Sequence, residues 1–182
     1  MTAKRRRVFF ALLPDAASKQ AIAHKLKTYR VGLPQDVEGR LRWTKPDNWH
    51  VTLRFIGEVD VPMATALAAC LPTVLPAAPA DVRFTQIEAF PSAQHPRVVA
   101  LTGPATPPLR QLVDSVEAAC SAAGVEAQRQ PWRCHLTVAR PRGRSALHLP
   151  LTHANVRFPV ASVQLLESIS TPGGVRYLPL QL

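Results

Sequence analysis

The chain has 182 residues, of which 47% are apolar, so it can bury a core without disulfides or bound metals. No apolar run reaches the roughly 18 to 20 residues that a membrane-spanning helix needs. Three cysteines without metal-ligand spacing favour reduced thiols, and the lack of a recognisable export signal leads us to expect a cytoplasmic protein. The net charge of +10 favours an anionic partner, for which nucleic acid is the commonest candidate.

The first half of the chain reads as a series of strands and helices. The apolar run at 8–13 predicts a strand, since its short length and the lack of a cleavage site argue against a signal peptide. A helix follows from about residue 15, and after the loop VGLPQDVEG the run NWHVTLRFIG predicts a second strand. A helix at 63–71 and the strand VRFTQIEAF complete this half.

The second half repeats this order. A strand at 97–101 ends at a Gly-Pro pair, and an apolar stripe over 109–120 predicts a helix that Gly124 closes. WRCHLTVA predicts the next strand, and VASVQLLES the last before a hairpin turn at TPGG. We expect one domain over residues 1–182 with an internal duplication, its halves at about 1–92 and 93–182. Chance similarity between simple α+β units is the alternative.

Histidine and threonine recur two residues apart in the central strand of each half. Because side chains alternate along a strand, His50 and Thr52 should share a face with Arg54. His135 and Thr137 should likewise share a face, with apolar neighbours behind them. Residues 129–144 hold five arginines and no acidic residue around the second pair. Pairing of the halves about a pseudo-two-fold axis would bring both histidines to one cleft.

Two imidazoles across a cleft can act as general base and general acid. With an unperturbed pKa of about 6.5, one ring can be neutral and the other charged near neutral pH. The neutral ring takes a proton from water and the charged ring gives one to a leaving alkoxide. Threonine hydroxyls and arginine can bind the phosphoryl oxygens. The set fits in-line phosphodiester cleavage without a metal, and leaves open which histidine is the acid. Zinc binding would need a third ligand, which no spacing offers.

HVTLRF at 50–55 and HLTVAR at 135–140 resemble the paired H-x-T-h motifs (h apolar) of the 2H phosphoesterase superfamily. The chain is similar nearly end to end to the bacterial and archaeal RNA 2′,3′-cyclic phosphodiesterases, once named 2′-5′ RNA ligases. The phrases that extend the likeness are RVFFALLP, RWTKPDNWHVTLRFIGEV, IEAFPSAQHPRVVAL and LLESISTPGGVRYLPL. The resemblance implies an α+β fold in which two pseudo-symmetric lobes of antiparallel sheet, with outer helices, flank a central cleft.

The resemblance also implies a reaction. RNA ends bearing a 2′,3′-cyclic phosphate would be hydrolysed to a 2′-phosphate and a free 3′-OH, with no metal and no cofactor. Apart from the resemblance, we expect a monomer that binds no membrane. His50 would be the general acid toward O3′ and His135 the general base toward water. Thr52 and Thr137 would hold the phosphate.

Phe55 and Arg140 match family positions that contact the nucleotide or its phosphate. Each lies five residues after a motif histidine, which is the wrong parity for the histidine's face in a regular strand. Either the strands bend or end there, or these side chains belong to the core and the rim. Trp43, Trp49 and Trp132 flank the motifs, where burial near the cleft rim is favoured over base stacking.

Other activities fit the same residues. A related enzyme could act on small cyclic or 2′-5′-linked nucleotides or on an ADP-ribose cyclic phosphate, and the reverse reaction would make a 2′-5′ RNA ligase. From another class, a catalytically silent RNA-binding module could use the same basic cleft. The intact pair of His50 and His135 counts against that last alternative.

Overall fold

The computed structural model describes residues 5–74, 80–143 and 145–181 of the chain as a mixed α+β fold. The strands are β1 (Arg6–Leu12), β2 (Leu41–Trp43), β3 (Val51–Val59), β4 (Asp81–Phe90), β5 (Val98–Thr102), β6 (His135–Pro141), β7 (Thr152–Pro159), β8 (Val163–Thr171) and β9 (Gly174–Pro179). The helices are α1 (Ala16–Val31), α2 (Gln35–Gly39), α3 (Val61–Ala69) and α4 (Pro107–Ala122), with 3₁₀ turns at Pro46–Asn48 and Leu71–Thr73. Arg144, one of the five arginines around the second motif, lies outside the described residues.

The described strands form one antiparallel sheet that is built symmetrically about its middle. The order is β7-β4-β5-β6-β3-β1-β8-β9, and β2 pairs with the far end of β6. β3 and β6, the two motif strands, meet at the centre through a single bridge that pairs Val51 with Leu136. We call this boundary between β3 and β6 the seam. In the sheet, β1 lies next to β3 and β5 lies next to β6, and each of these two strands has partners on both of its edges. The predicted α+β fold of two pseudo-symmetric lobes is confirmed.

The two halves of the sequence exchange strands across the seam. β4 comes from the first half of the chain but pairs with β5, whereas β8 and β9 come from the second half and extend the sheet beyond β1. The helices also cross, because α4 packs against β3 and α1 packs against β7. The division of the sequence at about residue 92 stays a prediction, and in space the two halves are interlocked.

The main core lies between the sheet and the helices. Four residues of the predicted stripe of α4 are buried there, namely Leu109, Leu112, Val116 and Cys120, whereas its other two, Val113 and Ala119, are half-buried. Gly124 closes this helix as predicted: its φ is +84°, and the next residue, Val125, donates its N–H to the carbonyl of Cys120 at 2.9 Å. None of the described helices is long and apolar enough to cross a membrane.

Three details of the fold differ from the prediction. VGLPQDVEG is not a loop throughout, because it contains the short helix α2, whose Val37 is buried. Strand β7 was not predicted, although Ala154, Val156 and Phe158 alternate with exposed residues along it. The predicted helix at 63–71 is shifted, since α3 begins two residues earlier behind a cap made by Asp60.

Close backbone packing makes Gly103 a test of this fold. A Cβ atom at Gly103 would lie 1.8 Å from the carbonyl oxygen of Arg83. Gly103→Ala should therefore lower the free energy of unfolding by about 2 kcal/mol or more, because backbone atoms must move. The matched control is Gly39→Ala, where nothing lies within 4 Å and we expect a change of at most about 1 kcal/mol. Urea unfolding measures both, and equal values would contradict the close approach.

Candidate active site

The seam between β3 and β6 brings the two His-x-Thr pairs together. Directly opposed residues of an antiparallel pair share a face, and the bridge pairs Val51 with Leu136. One residue to either side of this bridge, His50 is opposite Thr137 and Thr52 is opposite His135. All four side chains therefore lie on the face of the sheet that points away from the core.

Each imidazole is held by the backbone carbonyl two residues before it. Nδ1 of His50 donates to the carbonyl of Asn48 at 2.7 Å, and Nδ1 of His135 donates to the carbonyl of Arg133 at 2.9 Å. Since a carbonyl oxygen only accepts, the proton of each neutral ring is on Nδ1 and Nε2 is left for the cleft. Such an Nε2 is a base when it is bare and an acid when it is protonated.

Aromatic rings cover both imidazoles. The ring centroid of His50 lies 5.0 Å from that of Phe9 and 4.7 Å from that of Tyr177. On the other side of the seam, Phe90 stacks on His135 with centroids 4.4 Å apart and an interplanar angle of 13°. None of these three neighbours was predicted from the sequence.

Burial lowers the pKa of both imidazoles. For His50, burial is the main cause, and the nearby charges of His135 and Arg140 act in the same direction, so that its pKa falls to about 4 despite the bond to the Asn48 carbonyl. Burial also lowers the pKa of His135, and the charge of Arg133 adds to the effect. Both rings are therefore neutral at neutral pH in the free protein.

A β-bulge in the first motif strand reverses the alternation of its side chains. Successive residues of β1 pair with Thr52 and with Arg54, so Leu53 is the extra residue. As a result Phe55 returns to the face of His50, where its side chain is 44% exposed. The strand bends at this point, which is one of the alternatives expected from the parity of Phe55.

The second motif strand has a β-bulge at the equivalent position. Successive residues of β5 pair with Ala139 and with Thr137, so Val138 is the extra residue. Arg140 is thereby turned to the face of Thr137, and it is close enough for its charge to lower the pKa of His50. Phe55 and Arg140, which regular alternation would place on the opposite face from the histidines, therefore both face the cleft, and neither belongs to the core.

The bulge gives Arg54 a different place from the one predicted. Alternation predicted it on the face of His50, and this prediction is wrong because the extra residue turns it toward α4. Its Nε lies 2.8 Å from the carboxylate of Glu117, and its side chain is only 11% exposed. The guanidinium also donates to the carbonyl of Glu126. Arg54 thus ties β3 to α4 and its end.

The three tryptophans are buried or half-buried, as predicted. Trp49 is buried in the core. Trp43 donates its indole N–H to the carboxylate of Glu38 at 3.0 Å. Trp132 donates to the backbone carbonyl of Thr52 at 2.8 Å, so it links the segment before β6 to β3 across the seam.

Within the described part of the chain, the thiol next to His135 is buried and no group of metal ligands surrounds the histidines. Cys134 is buried, and burial raises the pKa of its thiol to about 12. Within residues 5–74, 80–143 and 145–181, no three His, Cys, Asp or Glu side chains are grouped as metal ligands would be.

A pocket of about 490 Å³ adjoins the site on the His135 side. It lies on the same face of the sheet, since Thr102 in its wall pairs with His135. Its lining comes from β4, the end of β5 and the segment before β6, namely Thr85, Gln86, Glu88, Thr102, Gly103, Pro104, Ala105, Trp132, Arg133 and Cys134. The cleft therefore has room beside His135 for more than a phosphate group.

Known proteins share both the sequence and the fold. Residues 18–100 match the family described as LigT like Phosphoesterase. The RNA 2′,3′-cyclic phosphodiesterase of Aeropyrum pernix is 31% identical over 157 residues, which are 77% of this chain and 84% of that protein. The protein of the same name from Archaeoglobus fulgidus is 26% identical over 97% of this chain and 98% of its own. The crystal structure of E. coli LigT complexed with 3′-AMP has a TM-score of 0.77 at 25% identity, covering 98% of this chain and 97% of that one.

The depressed pKa of His50 predicts how stability depends on pH. The unfolded chain takes up a proton at the ordinary value of 6.5, whereas the folded protein resists it down to about 4. Stability should therefore be full above pH 6.5 and fall as the pH drops toward 4, with His50 contributing a loss of about 3 kcal/mol. Urea unfolding at pH 7 and pH 4 measures this loss.

The comparison with His50→Asn isolates the contribution of that ring. This variant should lose less stability on acidification than wild type, whereas His24→Asn, which changes an exposed histidine of α1, should lose as much as wild type. Identical pH dependence in wild type and His50→Asn would contradict the assignment.

Proposed function

The chain belongs to the LigT-like phosphoesterase family, and on that premise we propose that it hydrolyses RNA ends bearing a 2′,3′-cyclic phosphate to a 2′-phosphate and a free 3′-OH. The observation that carries the proposal is the pair of histidines on the seam, each with Nδ1 bonded to a carbonyl and Nε2 left for the cleft. Relatives with matching sequence bear the name of this activity.

The reaction divides between the two rings. A cyclic phosphate bound over the seam has phosphorus between His50 and His135. Nε2 of His135 takes a proton from water as the water oxygen bonds to phosphorus, and the protonated Nε2 of His50 gives its proton to O3′ as the P–O3′ bond breaks. Exchange of protons with solvent restores both rings. Since burial keeps His50 neutral in the free protein, the anionic phosphate must raise its pKa on binding.

The residues around the histidines hold the phosphate in this scheme. Thr52 and Thr137 each lie opposite a motif histidine, so their hydroxyls can donate to the two non-bridging oxygens. Arg140, turned toward the cleft by the bulge, balances the charge that builds up on these oxygens. The exposed ring of Phe55, which lies 6.5 Å from the ring of Phe9, offers a surface on which a base can stack.

The scheme needs no metal and no cofactor, because the two histidines carry both protons. The net charge of +10 suits an RNA end, and the three free cysteines suit a reducing cytoplasm. We propose that the protein works there as a monomer.

A second candidate within the same class is a phosphodiesterase of small nucleotides. Crystal structures of E. coli LigT complexed with 3′-AMP and with NADP+ favour it, because they show that a relative binds these two small nucleotides. Comparison of turnover on a cyclic-phosphate oligonucleotide and on a 2′,3′-cyclic mononucleotide distinguishes the two. The reverse reaction, 2′-5′ ligation, uses the same proton transfers, and a catalytically silent RNA-binding module would bind without turnover.

Loss of either motif histidine should slow hydrolysis severely. His50→Ala and His135→Ala should each lower kcat by about a hundredfold to ten-thousandfold, because each removes one proton transfer. The exposed histidine of α1 provides the matched control, His24→Ala, which should keep full activity. The assay follows an oligonucleotide with a 2′,3′-cyclic phosphate end in the presence of EDTA, with the product identified as a 2′- or 3′-phosphate.

Three outcomes of this assay would count against the scheme. Absence of turnover in wild type would overturn the proposed function. Loss of turnover on chelation would overturn metal independence, and an active variant of either motif histidine would overturn the acid–base pair.

Removal of the cleft arginine should weaken transition-state binding. Arg140→Ala should lower kcat/KM by roughly tenfold to a hundredfold, because a charge-assisted bond to the phosphate is lost. Arg157→Ala is the control: Arg157 is an exposed arginine of β7 whose nearest acid, Asp81, lies 3.6 Å away. The control removes the same charge from the protein without touching the cleft. Equal kcat/KM values for the two variants would mean that Arg140 acts only through net charge.

A further inference from the structure

Asn48 connects His50 to the edge strand of the sheet. Its side-chain Nδ2 donates to the carbonyl of Val175 at 2.8 Å, and its Oδ1 accepts from the backbone N–H of Tyr177 at 3.3 Å. The side-chain amide thus bonds to β9 as a neighbouring strand would. The backbone carbonyl of the same residue accepts from Nδ1 of His50 at 2.7 Å. The ring of Tyr177, held on β9, in turn packs edge-on against His50.

Arg133 has the equivalent position in the second motif. Its backbone carbonyl accepts from Nδ1 of His135 at 2.9 Å. Its guanidinium lies 4.3 Å from the ring centroid of Phe90, which is the ring that stacks on His135, and also donates to the carbonyl of Pro91 at 3.3 Å. The carboxylate of Glu88 lies 4.0 Å from the same guanidinium.

We propose that Asn48 and Arg133, the residues two before the motif histidines, are positioning residues for the hydrolysis of the cyclic phosphate, so this inference rests on the proposed function. In each motif the backbone of one residue holds the imidazole, and its side chain holds the aromatic ring that packs on that imidazole. The two motifs use different side chains for the same purpose. The amide of Asn48 bonds to the edge of β9, and the guanidinium of Arg133 stacks on the ring of Phe90.

The arrangement is needed because one hydrogen bond leaves an imidazole free to move. The second side-chain torsion of histidine is broad, so a single bond to a carbonyl does not fix the plane of the ring. Contact with Tyr177 restricts rotation of His50, but β9 is at the edge of the described sheet and has strand β8 as its partner on one side only. Bonds from Asn48 to the open edge of β9 keep the tyrosine in place.

The two positioning residues differ in charge, and the difference suits the two proposed roles. Arg133 is a cation whose charge lowers the pKa of His135, which favours the bare ring that a general base needs. Asn48 brings no charge to His50. The charged or titratable groups that act on His50 are His135 and Arg140, and the hydroxyl-bearing ring of Tyr177 packs against it.

The test compares Asn48→Ala with a variant that loosens the same hairpin elsewhere. Asn48→Ala keeps the backbone carbonyl but loses both bonds to β9, so kcat should fall about tenfold to a hundredfold with KM changed by less than about threefold. The control is Thr171→Ala, since Thr171 donates to the carbonyl of Gly174 at 2.6 Å in the turn between β8 and β9, away from His50. It should lower thermal stability but leave kcat unchanged.

A readout without turnover separates this inference from the proposed function. Long-range ¹H–¹⁵N correlation of the imidazoles should show His50 with its proton on Nδ1 in wild type and in Thr171→Ala, and a mixture of tautomers in Asn48→Ala. An unchanged His50 spectrum in Asn48→Ala, or an equal loss of kcat in Thr171→Ala, would overturn the proposal. If wild type itself shows no turnover, the proposed function fails, and the spectra alone then test whether Asn48 positions His50.

Arg133 provides the second arm of the test. Arg133→Ala should lower kcat and broaden or shift the resonances of His135 but not those of His50. Arg133→Lys should recover part of the loss, because a lysine can still place a cation on the face of Phe90. Equal activity of Arg133→Ala and wild type would overturn the proposal for this motif.

Discussion

The bridge between Val51 and Leu136 is the contact on which the candidate site depends. Among the described residues it is the one point where β3 and β6 pair, and both residues are fully buried beneath the sheet. Because the strands run antiparallel, this single register places each histidine opposite the threonine of the other motif. A shift of the register between β3 and β6 by one residue would turn the histidine and threonine of one motif toward the core. The apolar residues inside the motifs thus set the geometry of the polar ones.

The sequence was sufficient to place His50 and Thr52 on one face but not to place the next residues of the strand. Alternation of side chains holds as far as the bulge. The bulge exists because two successive residues of β1 pair with Thr52 and Arg54 and leave Leu53 without a partner, so no property of Leu53 itself reveals it. For that reason Arg54 was placed on the wrong face. The parity conflict at Phe55 was nevertheless a correct signal, because a position that fits a site only in a bent strand points to a bend.

The rest of the site was predictable to different degrees. Val8 and Phe10 are buried in the main core, so alternation along β1 alone predicts Phe9 on the opposite face, whereas its contact with His50 depends on the pairing of β1 with β3. The contacts of Tyr177 and Phe90 could not be predicted this way, because they depend on which strands are neighbours. Strand order is decided by long-range packing, and the exchange of β4 and β8 between halves leaves no local mark in the sequence.

The position of β1 also has a consequence for synthesis on the ribosome. β1 (residues 6–12) leaves the ribosome well before β8 (residues 163–171), yet one edge of β1 pairs with β8. Until those residues leave the exit tunnel, the nascent chain carries an apolar strand with an unpaired edge, the kind of surface that aggregates or recruits chaperones. The lobe that carries His50 is thus completed only after β8 has been made, so a chain that stopped before β8 would hold both motifs but lack part of this lobe.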